Sequence, residues 1–173
     1  MSATVSVSES NGTTPTITAS ITNTNMGNTD AVNLVAATYP ITPGNNSYEK
    51  WQRFNLTNLG GSTQIQNLKV WVSAGIGTGC THKTNARTSG YEGAQTFDTV
   101  NGPLATDRSA TYKYTQTMPT STPGTANLGI AGTLAGALTT TGYSDYLVSQ
   151  IQTTGSAVAG TTVTMSYSYD EIA

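Results

Sequence analysis

The stretch SYEKWQRFNLTNLGGSTQIQNLKVWVS, residues 47–73, decides the fold class of this chain. A period of two in side-chain polarity places successive residues on opposite faces of a sheet. Both halves offer apolar side chains for a buried face: Trp51, Phe54 and Leu56 in the first half, and Leu68, Val70 and Val72 in the second. Between them, Asn58, Gly60 and Gly61 accept the positive φ angles of a tight reversal. We therefore expect a β-hairpin whose second strand begins near Ile65.

The composition favours an all-β protein. Only 9% of the 173 residues are charged, and Thr makes up about a fifth of the chain. Thr is β-branched and suits the half-exposed surface of a sheet, whereas long amphipathic helices need many charged residues. The stretch from 143 to 152 alternates in polarity and fits a strand better than a helix. Nine Tyr and two Trp supply a core that a disordered chain lacks.

The chain length suits a single structural domain. We expect residues 1–46 to form N-terminal strands or an extended arm that contacts a neighbouring subunit, and residues 47–173 to form the sandwich. The stretch 74–110 is rich in Gly, Thr, Asn and Ser, and we expect it to be a long loop insertion that leaves the core. So long a connection in a compact domain is commonly functional or contains short strands of its own. Segments 146–152 and 162–169 are expected to close the fold as a hairpin. Eight or nine strands indicate an immunoglobulin-like or jelly-roll β-sandwich.

Charge and hydropathy argue against nucleic-acid and membrane partners. The formal net charge is −2, and no apolar run approaches the ~20 residues of a membrane span. The cations are scattered, so phosphate binding is not expected: Lys50, Arg53, Lys69, Lys83, Arg87, Arg108 and Lys113. The start, MSATVSVSES, has no basic or apolar signal region, and one Cys fits a reducing compartment. We expect synthesis in a cytoplasm.

Metal and triad chemistry lack the necessary residues. His82 is the only histidine, and the sequence contains no Gly-x-Ser-x-Gly motif around which a serine triad is commonly built. Cys80 and His82 lie two residues apart, but a structural zinc takes four ligands. We expect a small packed thiol at Cys80, a surface imidazole at His82, and no metal or other cofactor.

Carboxylates do not form a recognisable catalytic motif either. A pair of them can act in glycoside hydrolysis, but such a pair is defined by distance in space rather than by spacing in the chain. The candidates are Glu49, Glu92, Asp98, Asp107 and Asp145. The sequence favours a protein without catalytic residues, so we expect no enzyme activity.

Aromatic side chains have two interpretations. Exposed rings beside Asn and Asp can hold a sugar, while Tyr and Trp also pack in cores and subunit contacts. The set comprises Tyr39, Tyr48, Trp51, Trp71, Tyr91, Tyr112, Tyr114, Tyr143, Tyr146, Tyr167 and Tyr169. Residues two apart, such as Tyr167 and Tyr169, share a sheet face, which favours packing. A carbohydrate-binding module remains the alternative.

Five stretches carry a resemblance to a known group of proteins. They are SNGTTPTITASITNTNMGNTDAVNL at 10–34, YPITPGNNSYEKWQRFNLTNLGG at 39–61, NLKVWVS at 67–73, TMPTSTPGTANLGIAG at 117–132 and GYSDYLVSQIQT at 142–153. In composition and phrasing they resemble the small Thr- and Gly-rich virion structural proteins of tailed bacteriophages.

The resemblance implies a non-enzymatic component of a phage particle. The expected function is capsid decoration, in which the protein binds and stabilises the assembled shell, and a tail component is the alternative. The implied partners are the major capsid protein or other virion proteins and neighbouring copies of the same chain. The implied location is the virion.

Overall fold

The computed structural model describes residues 1–12, 16–87, 116–158 and 162–173, which contain nine β-strands and no helix. The strands form two antiparallel sheets, which confirms the predicted β-sandwich. Their bounds are β1 (Thr4–Glu9), β2 (Lys50–Asn58), β3 (Gln64–Val72), β4 (Cys80–Arg87), β5 (Gln116–Thr117), β6 (Ala137–Leu138), β7 (Gly142–Tyr143), β8 (Tyr146–Thr153) and β9 (Met165–Ile172).

The larger sheet has β8 near its centre. Its strand order is β1-β2-β8-β4-β5, and β7 pairs with β2. Trp51 of β2 lies opposite Val148, and His82 of β4 lies opposite Ile151. The first six residues of β8 are all buried, as expected for a strand that is covered on both faces.

The smaller sheet, in the order β6-β3-β9, provides the second layer of the sandwich. The alternation predicted for β3 is confirmed, because Leu68, Val70 and Val72 are all buried while the residues between them are half-buried. These side chains meet Phe54 and Leu56 of β2 in the main core. The core also contains Ala3, Ile65, Ala86, Met118, Leu128, Ile130 and Leu147.

The predicted hairpin is wrong, because β2 and β3 belong to different sheets. The chain arches from one layer to the other, so the apolar faces of β2 and β3 meet across the core instead of lying side by side. Gly60 within the turn has φ +63°, and a Cβ there would collide with the main-chain oxygens of Met1 and Ser2. Glycine therefore serves both the turn angle and the close approach of the N-terminus.

The predicted closing hairpin is wrong for the same reason. β8 lies in the larger sheet and pairs with β2 and β4, whereas β9 lies in the smaller sheet and pairs with β3. A core between two sheets requires apolar faces from both layers, and this connection supplies one strand to each.

The expected insertion at 74–110 also needs correction. Its part at Cys80–Arg87 is β4, which lies between β8 and β5 in the larger sheet. Ala86 is fully buried in the main core, so this strand does not leave it. The rest of the expected insertion, from 88 onward, lies outside the described residues.

The described part of the N-terminal segment packs on its own domain. β1 pairs with β2, and the main chains of Glu9 and Thr18 exchange two hydrogen bonds of 2.9 Å. Leu34 is buried, and Asn46 forms a bridge to Gln152 of β8. Contact between this segment and a neighbouring subunit stays a prediction.

Candidate functional site

A cavity of about 370 Å³ lies between the two sheets, at the end where β3 stops and β9 starts. The N-terminal segment forms one of its walls, because the chain crosses this end of the sandwich between 24 and 43. The walls include Met26, Pro40, Ile41, Val72, His82, Ile151 and Met165. No described lining residue is Lys, Arg, Asp or Glu.

His82 is buried in the wall of this cavity, so the predicted surface imidazole is wrong. It is 6% exposed, because position 82 lies on the inward face of β4 together with Thr84 and Ala86. Neither ring nitrogen has a hydrogen-bond partner among the described residues. Burial lowers the pKa of His82 to about 4, so the imidazole is neutral at neutral pH.

Cys80 lines the same cavity two residues before His82 on the same strand. It is a free, half-buried thiol. Within the described residues, no group of three or more His, Cys, Asp or Glu side chains is placed to hold a metal ion. Cys80 and His82 thus lie at the edge of a mainly apolar space.

A buried ion pair lies inside the sandwich near β1. Lys50 Nζ donates to Glu9 Oε1 at 2.8 Å and to the main-chain oxygen of Ala31, and both charged side chains are almost fully buried. Gln52 Nε2 donates to Glu9 Oε2 at 2.9 Å, and the Tyr167 hydroxyl donates to Gln52 Oε1 at 3.1 Å. Burial and the Glu9 charge raise the pKa of Tyr167 well above its ordinary value, which keeps the phenol protonated.

Sequence reasoning missed this cluster, although a signal was present. In the alternation of Val5, Val7 and Glu9, the carboxylate shares the inward face of β1 with the two valines. A buried carboxylate needs a charged partner, and the adjacent strand carries Lys50. The cluster joins β1, β2, β9 and the N-terminal segment, so its function is structural.

Trp51 is buried on the outer face of the larger sheet, away from the core side chains with which the sequence grouped it. Residues 51 and 54 differ by three positions, which puts them on opposite faces of a regular strand. The Trp51 and Tyr146 rings meet edge to face, with centroids 5.5 Å apart. Beside them the Arg53 guanidinium lies 3.7 Å from the centroid of the Tyr143 ring, and 38% of Tyr143 is exposed.

The remaining aromatic residues divide between packing and surface. Tyr167 and Tyr169 are half-buried and meet Phe54 edge to face, which confirms the packing interpretation for this pair. Tyr48 and Trp71 are half-buried, and Tyr39 is 39% exposed. The other three, Tyr91, Tyr112 and Tyr114, lie outside the described residues.

The two described carboxylates among the hydrolase candidates are buried and hold local structure. Glu49 Oε2 accepts a hydrogen bond from Trp51 Nε1 at 3.2 Å. Asp145 accepts hydrogen bonds from the main-chain nitrogen of Gly132 at 3.0 and 3.2 Å. Three candidates, Glu92, Asp98 and Asp107, lie outside the described residues.

In the part of the chain that the structure describes, β9 is an open edge of the smaller sheet. Among the described residues, its only ladder partner is β3. Met165 and Tyr167 point into the core, whereas Ser166 and Ser168 lie on the outer face beside Trp71 and Lys69. By contrast, the outer edge of β1 is partly covered by the chain at 18–21. An eight-residue edge strand offers main-chain donors and acceptors to another chain.

The described residues contain no helix long and apolar enough to cross a membrane. Comparisons of the chain with protein-family models, with curated proteins and with solved structures found no match.

Proposed function

We propose that this chain is a non-enzymatic structural protein of a tailed-bacteriophage virion, and that it decorates the outside of the capsid. The observation that carries the proposal is the open edge of β9 on a two-layer sandwich. An exposed edge strand allows a second chain to add to the sheet through main-chain hydrogen bonds. The resemblance of the five sequence stretches to virion structural proteins supports the same assignment.

The physical basis of decoration is multivalency. A shell presents many symmetric copies of one site, so a modest contact that is repeated around the shell gains avidity. Bridges between neighbouring capsid subunits then oppose the outward pressure of packaged DNA. A sandwich whose sequence has few charged residues and many hydroxyl groups suits this work, because the decorating protein must stay folded and soluble before it assembles.

The first experiment measures the copy number of this chain in purified particles relative to the major capsid protein. Decoration predicts a fixed ratio of this chain to the major capsid protein that matches the symmetry of the shell. It also predicts that the chain is recovered with the shell when shells and tails are separated. A ratio of only a few copies per particle, or recovery with isolated tails, favours the tail-component alternative and contradicts decoration.

A matched pair of substitutions tests the β9 edge. Ser168→Lys adds a charge to the edge strand, and lysine at an edge blocks strand addition. Thr125→Lys adds the same charge at an exposed loop position and serves as the control. We expect the β9 variant to lose at least tenfold in particle incorporation and the control to incorporate normally. Equal incorporation of both folded variants would exclude the β9 edge as the contact.

Carbohydrate binding is the alternative from another class. Among the described residues, its structural support is limited to the exposed rings of Tyr39 and Tyr143. A sugar-binding module is retarded as an isolated protein in polysaccharide affinity electrophoresis, and Tyr143→Ala should remove that retardation. We expect no retardation of the wild-type chain, and saturable retardation would overturn the structural assignment.

A further inference from the structure

We propose that the cavity between the sheets is a binding site for a small, neutral, mainly apolar molecule that carries one hydroxyl or carbonyl group. His82 provides the hydrogen bond to that group. The proposal is independent of the virion function, since it rests on the cavity alone.

The size and lining of the cavity fit a small organic molecule. Ligand pockets are commonly about 300–1,000 Å³ and mostly apolar, with a few polar groups that fix orientation. This cavity measures about 370 Å³, and its walls carry Val72, Ile151, Val163 and Met165. Without a ligand, the cavity would hold on the order of ten water molecules, at about 30 Å³ each. These molecules would lie against apolar walls, and a ligand would displace them.

The described lining of the cavity favours a neutral molecule over an ion. The described lining residues include no Lys, Arg, Asp or Glu, so an ionised ligand would lose its hydration without gaining a partner of opposite charge. Burial holds the pKa of His82 at about 4, so the imidazole carries no charge at neutral pH. Carboxylates and amines should therefore bind more weakly than an alcohol of the same shape.

The hydrogen-bonding capacity of His82 selects the polar group. A neutral imidazole has one N–H donor and one nitrogen acceptor, and both nitrogens are buried without a partner among the described residues. Buried polar atoms without a hydrogen-bond partner are rare in folded proteins, where most of them are paired. A ligand hydroxyl can donate to one ring nitrogen or accept from the other, and a ligand carbonyl can accept.

The single histidine makes a direct test possible, because ¹⁵N-histidine labelling gives imidazole signals from His82 alone. Four probes share one ring: cyclohexanol, cyclohexane, cyclohexanecarboxylate and cyclohexylammonium. We expect cyclohexanol to shift the His82 nitrogen signals saturably and to bind at least tenfold more tightly than either ion. No shift with cyclohexanol, or equal affinity for the alcohol and the ions, would overturn the proposal.

Variants separate the hydrogen bond from simple filling of space. His82→Leu should weaken cyclohexanol binding about tenfold, which corresponds to about 1.4 kcal/mol, and leave cyclohexane binding nearly unchanged. Binding is followed by ligand-observed NMR, which needs no histidine signal. Equal loss for both probes would show that His82 acts only through shape, and would overturn its assigned role.

A blocking variant and a matched control locate the site. Ala36 lines the cavity, whereas its neighbour Val35 is 60% exposed and is not part of the lining. Ala36→Trp should abolish cyclohexanol binding, and Val35→Trp should leave it unchanged, with thermal melts confirming that both variants fold. Retained binding in folded Ala36→Trp would place the ligand elsewhere and contradict the proposal.

Discussion

Trp51 is the largest side chain that is fully buried, and it lies outside the main core. Trp51→Ala should lower the free energy of unfolding by about 3–5 kcal/mol, because it leaves a cavity beside Tyr146 and removes the donor to Glu49. Urea unfolding measures the change. Trp71→Ala is the control, since that ring is only half-buried, and an equal loss in both variants would contradict this account.

The Glu9–Lys50 pair gives a second prediction at the residue scale. Lys50→Met should destabilise the protein by about 3–5 kcal/mol, because it leaves the Glu9 carboxylate buried without its cation. The double variant Glu9→Gln with Lys50→Met should recover part of the loss, since no charge is then buried. Urea unfolding of both single variants and the double variant provides the coupling free energy. Additive losses would show that the two groups act independently.

His82 should make stability depend on pH. Its pKa is lowered from 6.5 to about 4, so the unfolded chain binds a proton at a higher pH than the folded chain does. The stability from the neutral imidazole is complete above about pH 6.5 and is lost as the pH falls toward 4, by up to about 3 kcal/mol at 1.36 kcal/mol per unit.

The measurement compares urea unfolding of wild type and His82→Leu from pH 7.5 to 4. Carboxylates titrate in the same range, but they contribute to both proteins and cancel in the difference. Cys80 is the other titratable side chain in the described lining, and it is present in both proteins. A difference that does not change with pH would show that His82 is not held neutral by burial.

β4 lies in the stretch that the sequence predicts as a loop insertion. Its inward-facing residues are Cys80, His82, Thr84 and Ala86, which include no large aliphatic side chain. Periodicity is visible only where polarity differs between the two faces, as it does for Leu68, Val70 and Val72 of β3. Thr-rich composition was the available signal for β4, but in this chain Thr is common in strands and loops alike.

Hydrogen exchange tests the position of β4 in the free protein. Peptides covering Cys80–Arg87 should exchange slowly, because this strand is hydrogen-bonded to β8 along its whole length. The chain at 74–79 lies in turns and should exchange quickly, which makes it the internal control. Fast exchange in both segments would mean that β4 opens independently of the sheet.

Strand existence and strand pairing differ in how well the sequence predicts them. The apolar patterns of β2, β3 and β8 indicated strands, and all three are present. The connection from Asn58 to Gln64 is short enough for a hairpin, yet the strands separate into two layers. Whether β2 and β3 form a hairpin or lie in two layers depends on where their apolar faces are buried. Contacts between residues distant in sequence, such as Phe54 with Tyr167, decide this.

Fold class was therefore accessible from the sequence, and the candidate site was not. Pattern and composition together indicated a β-sandwich. The cavity depends on the meeting of Met26, Val72, His82 and Met165, which are far apart in the chain. A lone histidine is read as a surface residue unless its strand and its face are known, so its burial was predictable only after β4 had been placed.

At the scale of the whole molecule, each described strand lies beside partners that are distant in sequence. Within the described ranges the most local ladder joins Thr84 of β4 to Gln116 of β5, and β3 pairs with β9 near the other end of the chain. Folding must therefore close large loops before most pairing stabilises the chain, and such topologies fold in milliseconds to seconds or more slowly.

Stopped-flow refolding should accordingly show a slow main phase that added prolyl isomerase does not accelerate, because the delay comes from topology rather than from any of the six prolines. A main phase in the microsecond range would contradict this reasoning.

During the slow folding phase, the β9 strand and its neighbours are exposed to other unfolded copies at their full cellular concentration. Under the virion function proposed above, a protein made in many copies within a short infection would depend on host chaperones for its yield, and the arch at Gly60 is one of the connections that create this dependence.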